Sequence, residues 1–326
     1  MRRHLLSRPA ITALAVTTAV AVGVLPASQA FAGPGSATSQ ATYQTSAVTV
    51  TNGHGRSCAN LRANTINDHD VIGGSFYCTK HDNGEGFLET SGGKVTKFFA
   101  PKAKDDNTVV DAIADDGTAA ITVYAQKGSG TLGYLRSPAG KFTAVKDPKD
   151  PNGSVFLSGI NSHHCVTGSY GITKKLDTGH PFVYCHHKFR SFTAHVKGAT
   201  GVQLTGISNS GELSGSFNTE SGVSKGLLVV HGKDHVVVAP GAGTKKGQGT
   251  FLNTLAGNGT YAGTVIKGKK YRQFVHTSGG FTFFSLKSSL KDAFTQGVNG
   301  IGDAVGIATY SGYYVGYLAT PNATTT

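Results

Sequence analysis

The sequence predicts an all-β chain, a six-bladed β-propeller of four-stranded antiparallel blades whose last blade is closed by the N-terminal strand. Three observations predict it. A unit of about 47 residues recurs six times, residues within each unit alternate with period two, and the last unit lacks a strand that the N-terminus can supply.

The repeat is anchored by an apolar residue that precedes a polar turn: Ile66, Ile113, Ile160, Ile207, Leu255 and Val298, spaced 47, 47, 47, 48 and 43 residues apart. Eight positions after the anchor stand Gly74, Gly168, Gly215, Gly263 and Gly306, with Ile121 the exception. A second motif follows about twenty residues past the anchor, as in Gly86-Phe87-Leu88, Gly133-Tyr134-Leu135 and Gly316-Tyr317-Leu318. Short β-branched or aromatic segments bounded by Gly, Asn and Asp read as strands, and four per unit is the number a propeller blade requires. Four residues after the anchor comes Gly117, Gly211, Gly259 or Gly302, where a hairpin demands positive φ; Asp70 and His164 fill that place in the other two units.

Fourth strands are expected at Val95 to Phe99, Phe142 to Val145, Phe189 to Ala194, Val236 to Ala239 and Phe281 to Leu286. The sixth unit stops after Tyr317-Leu318 without one. Counting back from Ile66 reaches Ala47 to Thr51, an alternating strand with no unit of its own. Placed last in the sixth blade, it removes an exposed sheet edge.

Ahead of the repeats, Arg2, Arg3 and Arg8 precede an apolar stretch from Ala10 to Leu25, and Ala30-Phe31-Ala32 offers a small-x-small cleavage site. Residues 1–32 therefore read as a signal peptide, 33–46 as a disordered N-terminal segment, 47–320 as the propeller and 321–326 as a flexible tail. No second apolar run is long enough to span a bilayer, so a secreted, extracellular and monomeric protein is expected. Without the leader arginines, 27 basic residues face 18 acidic ones, a formal charge of +9. The lysines are scattered singly or in pairs with little aromatic interleaving, which argues against a nucleic-acid groove.

Four cysteines in an exported chain suggest two disulfides, for which three connectivities exist. Cys58 to Cys78 and Cys165 to Cys185 share a separation of 20 residues, so these pairings are expected. The pattern also resembles the HAF-type extracellular repeat. Ile160-Asn161, Gly168-Ser169-Tyr170, His180-Pro181-Phe182-Val183-Tyr184 and Phe189 carry the resemblance in one unit, and Pro240-Gly241-Ala242 carries its terminal piece in another. It implies export and repetition, and brings no catalytic residues.

The densest group of chemically capable side chains is His163, His164, His186 and His187, in two turns of the third unit. The first and third turns of a blade lie at one end, so these histidines are the candidate ligand-binding residues and, more remotely, a divalent-metal set. Solvated turn residues are the competing and favoured account, and no cofactor is expected. There is no Gly-x-Ser-x-Gly elbow, no His-Glu-x-x-His and no phosphate loop, and glutamates are few. The functional expectation is a non-catalytic binding or scaffold propeller for a wall polymer, glycan or protein. Its alternative is an extracellular lyase or hydrolase with its site in the channel.

Overall fold

The computed structural model describes residues 42–50, 58–78, 83–101, 103, 106–125, 130–171 and 179–322. The expected leader, residues 1–32, lies outside the described residues. The described chain is entirely β, with 24 strands. β1 (Tyr43–Val48) comes first. The first unit is β2 (Ala59–Ile66), β3 (Ile72–Tyr77), β4 (Glu85–Glu89) and β5 (Val95–Phe98). The second is β6 (Asn107–Ile113), β7 (Ala119–Tyr124), β8 (Thr131–Arg136) and β9 (Phe142–Val145). The third is β10 (Val155–Ile160), β11 (Val166–Tyr170), β12 (His180–Cys185) and β13 (Lys188–Ser191). The fourth is β14 (Thr200–Ile207), β15 (Leu213–Asn218), β16 (Ser224–Val230) and β17 (Lys233–Val237). The fifth is β18 (Gly249–Leu255), β19 (Tyr261–Lys267), β20 (Lys270–Thr277) and β21 (Gly280–Phe284). Last come β22 (Lys291–Val298), β23 (Ala304–Tyr310) and β24 (Tyr313–Pro321).

Within each unit the strands pair antiparallel in chain order. Four sheets have four strands, and the fourth and fifth units are joined into one sheet of eight by a single parallel bridge, Ser224 to Gly249. No sheet closes on itself. β1 completes the last sheet by pairing antiparallel with β24, from Tyr43 opposite Pro321 to Val48 opposite Gly316. This pairing begins four residues before the expected strand and takes in part of the segment expected to be disordered. Tyr43 explains the shift: its ring stacks on Phe284 at 4.8 Å and its hydroxyl donates to Gly302 O at 3.0 Å, contacts that a strand starting at Ala47 would forgo. Residues 321 and 322, expected to begin a flexible tail, are held in place, because Pro321 ends β24 and Asn322 N donates to Thr42 O; residues 323–326 lie outside the described residues.

All six anchors end the first strand of their unit. Every residue four places on has positive φ: Asp70 56°, Gly117 85°, His164 57°, Gly211 84°, Gly259 89° and Gly302 92°. The glycines eight places after the anchor answer a different need. A methyl group on Gly74, Gly168, Gly215, Gly263 or Gly306 would overlap the carbonyl oxygen of the residue just before its partner on the first strand, and on most of them an aromatic ring as well. Both disulfides, Cys58–Cys78 and Cys165–Cys185, are formed, and Cys58 N donates to Val50 O just beyond β1. Six clusters of buried apolar residues lie one between each pair of neighbouring units. One of them packs Val305 and Leu318 of the last unit against Leu61 and Ala63 of the first.

Candidate functional site

The first turns of all six units lie at one end, and hydrogen bonds link each to the next. Asp68 N donates to Asp115 Oδ1 at 3.2 Å, His164 Nε2 meets Asp116 Oδ2 at 2.8 Å, and Ser162 N donates to Asn209 Oδ1 at 2.9 Å. Asn209 N then donates to Gly257 O, Asn258 Nδ2 to Gly300 O, and Gly300 N back to Asp68 Oδ1 at 2.6 Å. Burial raises the Asp116 carboxyl, but hydrogen bonds from Thr118 and His164 outweigh it and hold Asp116 below the ordinary carboxylate range.

The four histidines all sit at this end, as expected, but they do not gather. His164 is spent on Asp116, and His163 N donates to Asn161 Oδ1 at 3.1 Å in the turn itself. His186 and His187 form the two-residue β12–β13 turn with φ of 49° and 61°, the paired positive values a tight hairpin imposes. His187 Nδ1 reaches Tyr184 OH at 3.3 Å, and His186 borders an open groove of about 440 Å³ with Lys188, Arg190 and Phe192. Among the described residues one trio of potential metal ligands lies within 4.8 Å, namely Cys165, Cys185 and His186, and its two sulfurs are already a disulfide. The four histidines thus stand in two separate turns, three of them (His164, His186 and His187) at positive φ, as the favoured account of them as turn residues has it. His276 lies flat on Tyr261 at 4.3 Å and burial pushes it down to about 4.

Along the channel, the first strand of every unit slips register two residues before its anchor. The bulged residues are Asn64, Asp111, Ser158, Thr205, Asn253 and Gln296, all polar. Four of them donate to the carbonyl just ahead of the bulge in the following unit. Asn64 reaches Val110 O at 3.1 Å, Ser158 reaches Leu204 O at 2.7 Å, Thr205 reaches Leu252 O at 2.9 Å and Asn253 reaches Thr295 O at 2.7 Å. Ionised Asp111 has no proton to donate to the matching Leu157 carbonyl. Its Oδ2 is buried without a partner, and burial raises its pKa well above the carboxylate range despite hydrogen bonds from Thr122. The cavity among these strands measures about 40 Å³, room for a few waters at most.

At the opposite end the channel mouth is built differently. Arg62 lies four residues before the first anchor, roughly 13 Å back along its strand. Tyr77 and Tyr124 end β3 and β7, and Tyr314 stands near the start of β24, so all three reach the same end. The Arg62 guanidinium lies 4.3 Å over the Tyr314 ring, and Tyr314 N is tied to Asn60 Oδ1 at 3.1 Å. Tyr124 packs beside Phe156 at 6.3 Å. Burial, followed by the nearby charge of Asp111, raises the Tyr124 phenol, while Arg62 lowers it in part. Arg62 Nε is buried with no hydrogen-bond partner, and among the described residues no carboxylate pairs with this arginine. This site was missed in the sequence because its members come from four strands of three units. The available signal was the column four before each anchor, where Arg62 aligns with Val109, Phe156, Gln203, Phe251 and Phe294 and is the one charge.

No family model matches the sequence, and no curated protein is detectably similar. Among solved structures, TolB from Acinetobacter baumannii aligns over 77% of this chain at 12% identity with a TM-score of 0.49, and the chain spans 64% of TolB. Trypanosoma rangeli sialidase aligns over 84% of this chain and 59% of its own at 11% identity, TM-score 0.45. Aleuria aurantia lectin aligns over 70% of this chain and 77% of its own at 13% identity, TM-score 0.42. At these values the likenesses bear on neither substrate nor activity.

Proposed function

We propose that the chain is a secreted six-bladed propeller of the HAF-repeat type, closed by β1, which binds an extracellular polymer, glycan or protein without turning it over. The observation that carries this reading is the filled space between the first turns and the bulges. Bulged side chains spend their donors on neighbouring units, and a cavity of about 40 Å³ admits no sugar ring or peptide. Binding is therefore assigned to an end or a flank. The two disulfides and the apolar leader expected at residues 1–32 support export.

Retention of a wall, glycan or secreted-protein fraction on the purified chain, with no change in the retained material, is the expected outcome of a pull-down. Replacing His163, His164, His186 and His187 together by Asn tests whether the partner sits at the turn end. A lyase or hydrolase is favoured by one feature only, the buried Asp111 carboxyl, whose pKa is raised well above the ordinary carboxylate range. Polymer cleavage abolished by Asp111→Asn would establish it and overturn the non-catalytic reading.

A further inference from the structure

We infer that the channel mouth around Arg62 is a binding subsite for an acidic sugar, a pyranose that carries a carboxylate. This rests on the binding function proposed above and names its ligand class and place.

The argument begins with charge. A part-buried arginine is ordinarily paired with a carboxylate, because desolvating a cation without a partner costs several kcal/mol. Arg62 has none among the described residues: neither Asp111 nor Asp292, which also sits toward this end of an inner strand, makes an ion pair with it. Stacking on Tyr314 fixes the plane of the guanidinium. A guanidinium held in one plane without a carboxylate partner is arranged for a bidentate oxyanion, and of those that an organic polymer presents (carboxylate, sulfate ester, phosphodiester) the planar carboxylate matches the planar fork most directly.

The surroundings select a sugar. Tyr314 is 39% exposed, Tyr124 36%, and Tyr310 and Tyr313 at the same end of the last unit 53% and 52%. Exposed tyrosine faces take the C–H faces of a pyranose, and their hydroxyls exchange hydrogen bonds with ring hydroxyls. The Tyr124 phenol, raised by burial, keeps its proton at physiological pH and is a donor there. Selection against the other end is equally plain. The six first turns hold Asp68, Asp70, Asp115, Asp116, Glu212 and Asp303 and no lysine or arginine, so an anionic ligand is repelled from it.

Calorimetry with the full-length exported chain tests this, with a tetragalacturonate, a neutral tetrasaccharide of the same length, and inorganic sulfate as separate titrants. The uronate is expected to bind at least about tenfold more tightly than either other titrant, since one charge-assisted bidentate contact is worth about 1.5–3 kcal/mol. Arg62→Gln should remove that preference, Arg62→Lys should recover part of it, and Tyr124→Phe should weaken the uronate about threefold with no loss of fold. Equal binding of the neutral sugar, sulfate as tight as the uronate, or an unchanged Arg62→Gln each overturns the subsite. If Arg62→Gln still retains the partner found by pull-down, the binding function stands and this site falls. If the wild-type chain retains nothing, the binding function itself falls.

Discussion

The two ends of the channel are made from the same six strands and have opposite chemistry. At the turn end the polar groups are tied to one another: Asn161 Oδ1 accepts from His163 N and Cys165 N while its Nδ2 donates to Ser208 O, and the carboxylates of Asp115 and Asp68 accept from Asp68 N and Gly300 N. At the other end an arginine rests on a tyrosine and has a donor unused. Saturated hydrogen bonding holds a structure together, and unsaturated hydrogen bonding leaves something for a ligand. The comparison teaches that the end richest in conspicuous residues, the histidine-bearing one, is the end already committed to the fold.

Four substitutions break or sharpen that contrast. Gly263→Val drives a side chain into Phe251 O and the Phe274 ring, and should cost about 4 kcal/mol or prevent folding, as read by thermal unfolding. Asn161→Ala deletes three hydrogen bonds in a buried turn and should cost about 2–3 kcal/mol in denaturant titration. Arg62→Gln, at the mouth, removes an unpaired part-buried charge together with its stacking on Tyr314, and is expected to destabilise by no more than about 0.5 kcal/mol. A loss as large as that of Asn161→Ala would show the mouth to be structural and erase the contrast. Smallest is His164→Gln, which removes an exposed pair with Asp116 and should cost about 0.5 kcal/mol at most, less in high salt.

Between the two ends stands Asp111, and here pH is the probe. Its carboxyl is raised in the folded chain, so the folded state binds its proton more tightly than the unfolded one. The stability that this adds is complete below the unfolded carboxylate range and is lost as pH rises through the folded value. Asp111→Asn keeps a donor for the Leu157 carbonyl without a titrating group. It should flatten the pH profile and be more stable than the parent at neutral and alkaline pH, measured by unfolding at several pH values. A parent profile already flat from acid to alkaline would mean that the carboxyl is not protonated in the fold.

How much of this was legible in the sequence depends on whether the backbone or a convergence of side chains sets the requirement. Positive φ four places after each anchor is a backbone demand met six times, so Asp70 and His164 could be read as turn formers beside four glycines. The glycines eight places on were visible for the same reason, although the carbonyl they accommodate was not. The fourth strands were placed within a few residues. β1 was set too late, because Ala47 to Thr51 alternates as cleanly as the real strand while Tyr43 earns its place only through Phe284 and Gly302, more than 200 residues away. Arg62 was invisible to motif search because its neighbours come from the first, second and last units. The polar column at the bulges was present all along, but polar residues in a strand ordinarily mean a solvated face.

β1 has a consequence for the order of events. Of the described strands it is the first to be synthesised and the last that can find its partner, since Val48 pairs with Gly316, 268 residues later. Closing a flexible loop of that length carries a logarithmic entropy term of roughly 5 kcal/mol, which the growing chain meets only after five units are complete. Contacts so distant in sequence slow folding, and the nascent chain is left with an open β24 edge until the two ends meet. In the folded molecule the same seam is where local opening should begin. Amide hydrogens of residues 43–48 and their partners in 316–321 should therefore exchange faster than those of β11, whose neighbours on both sides are adjacent in the chain.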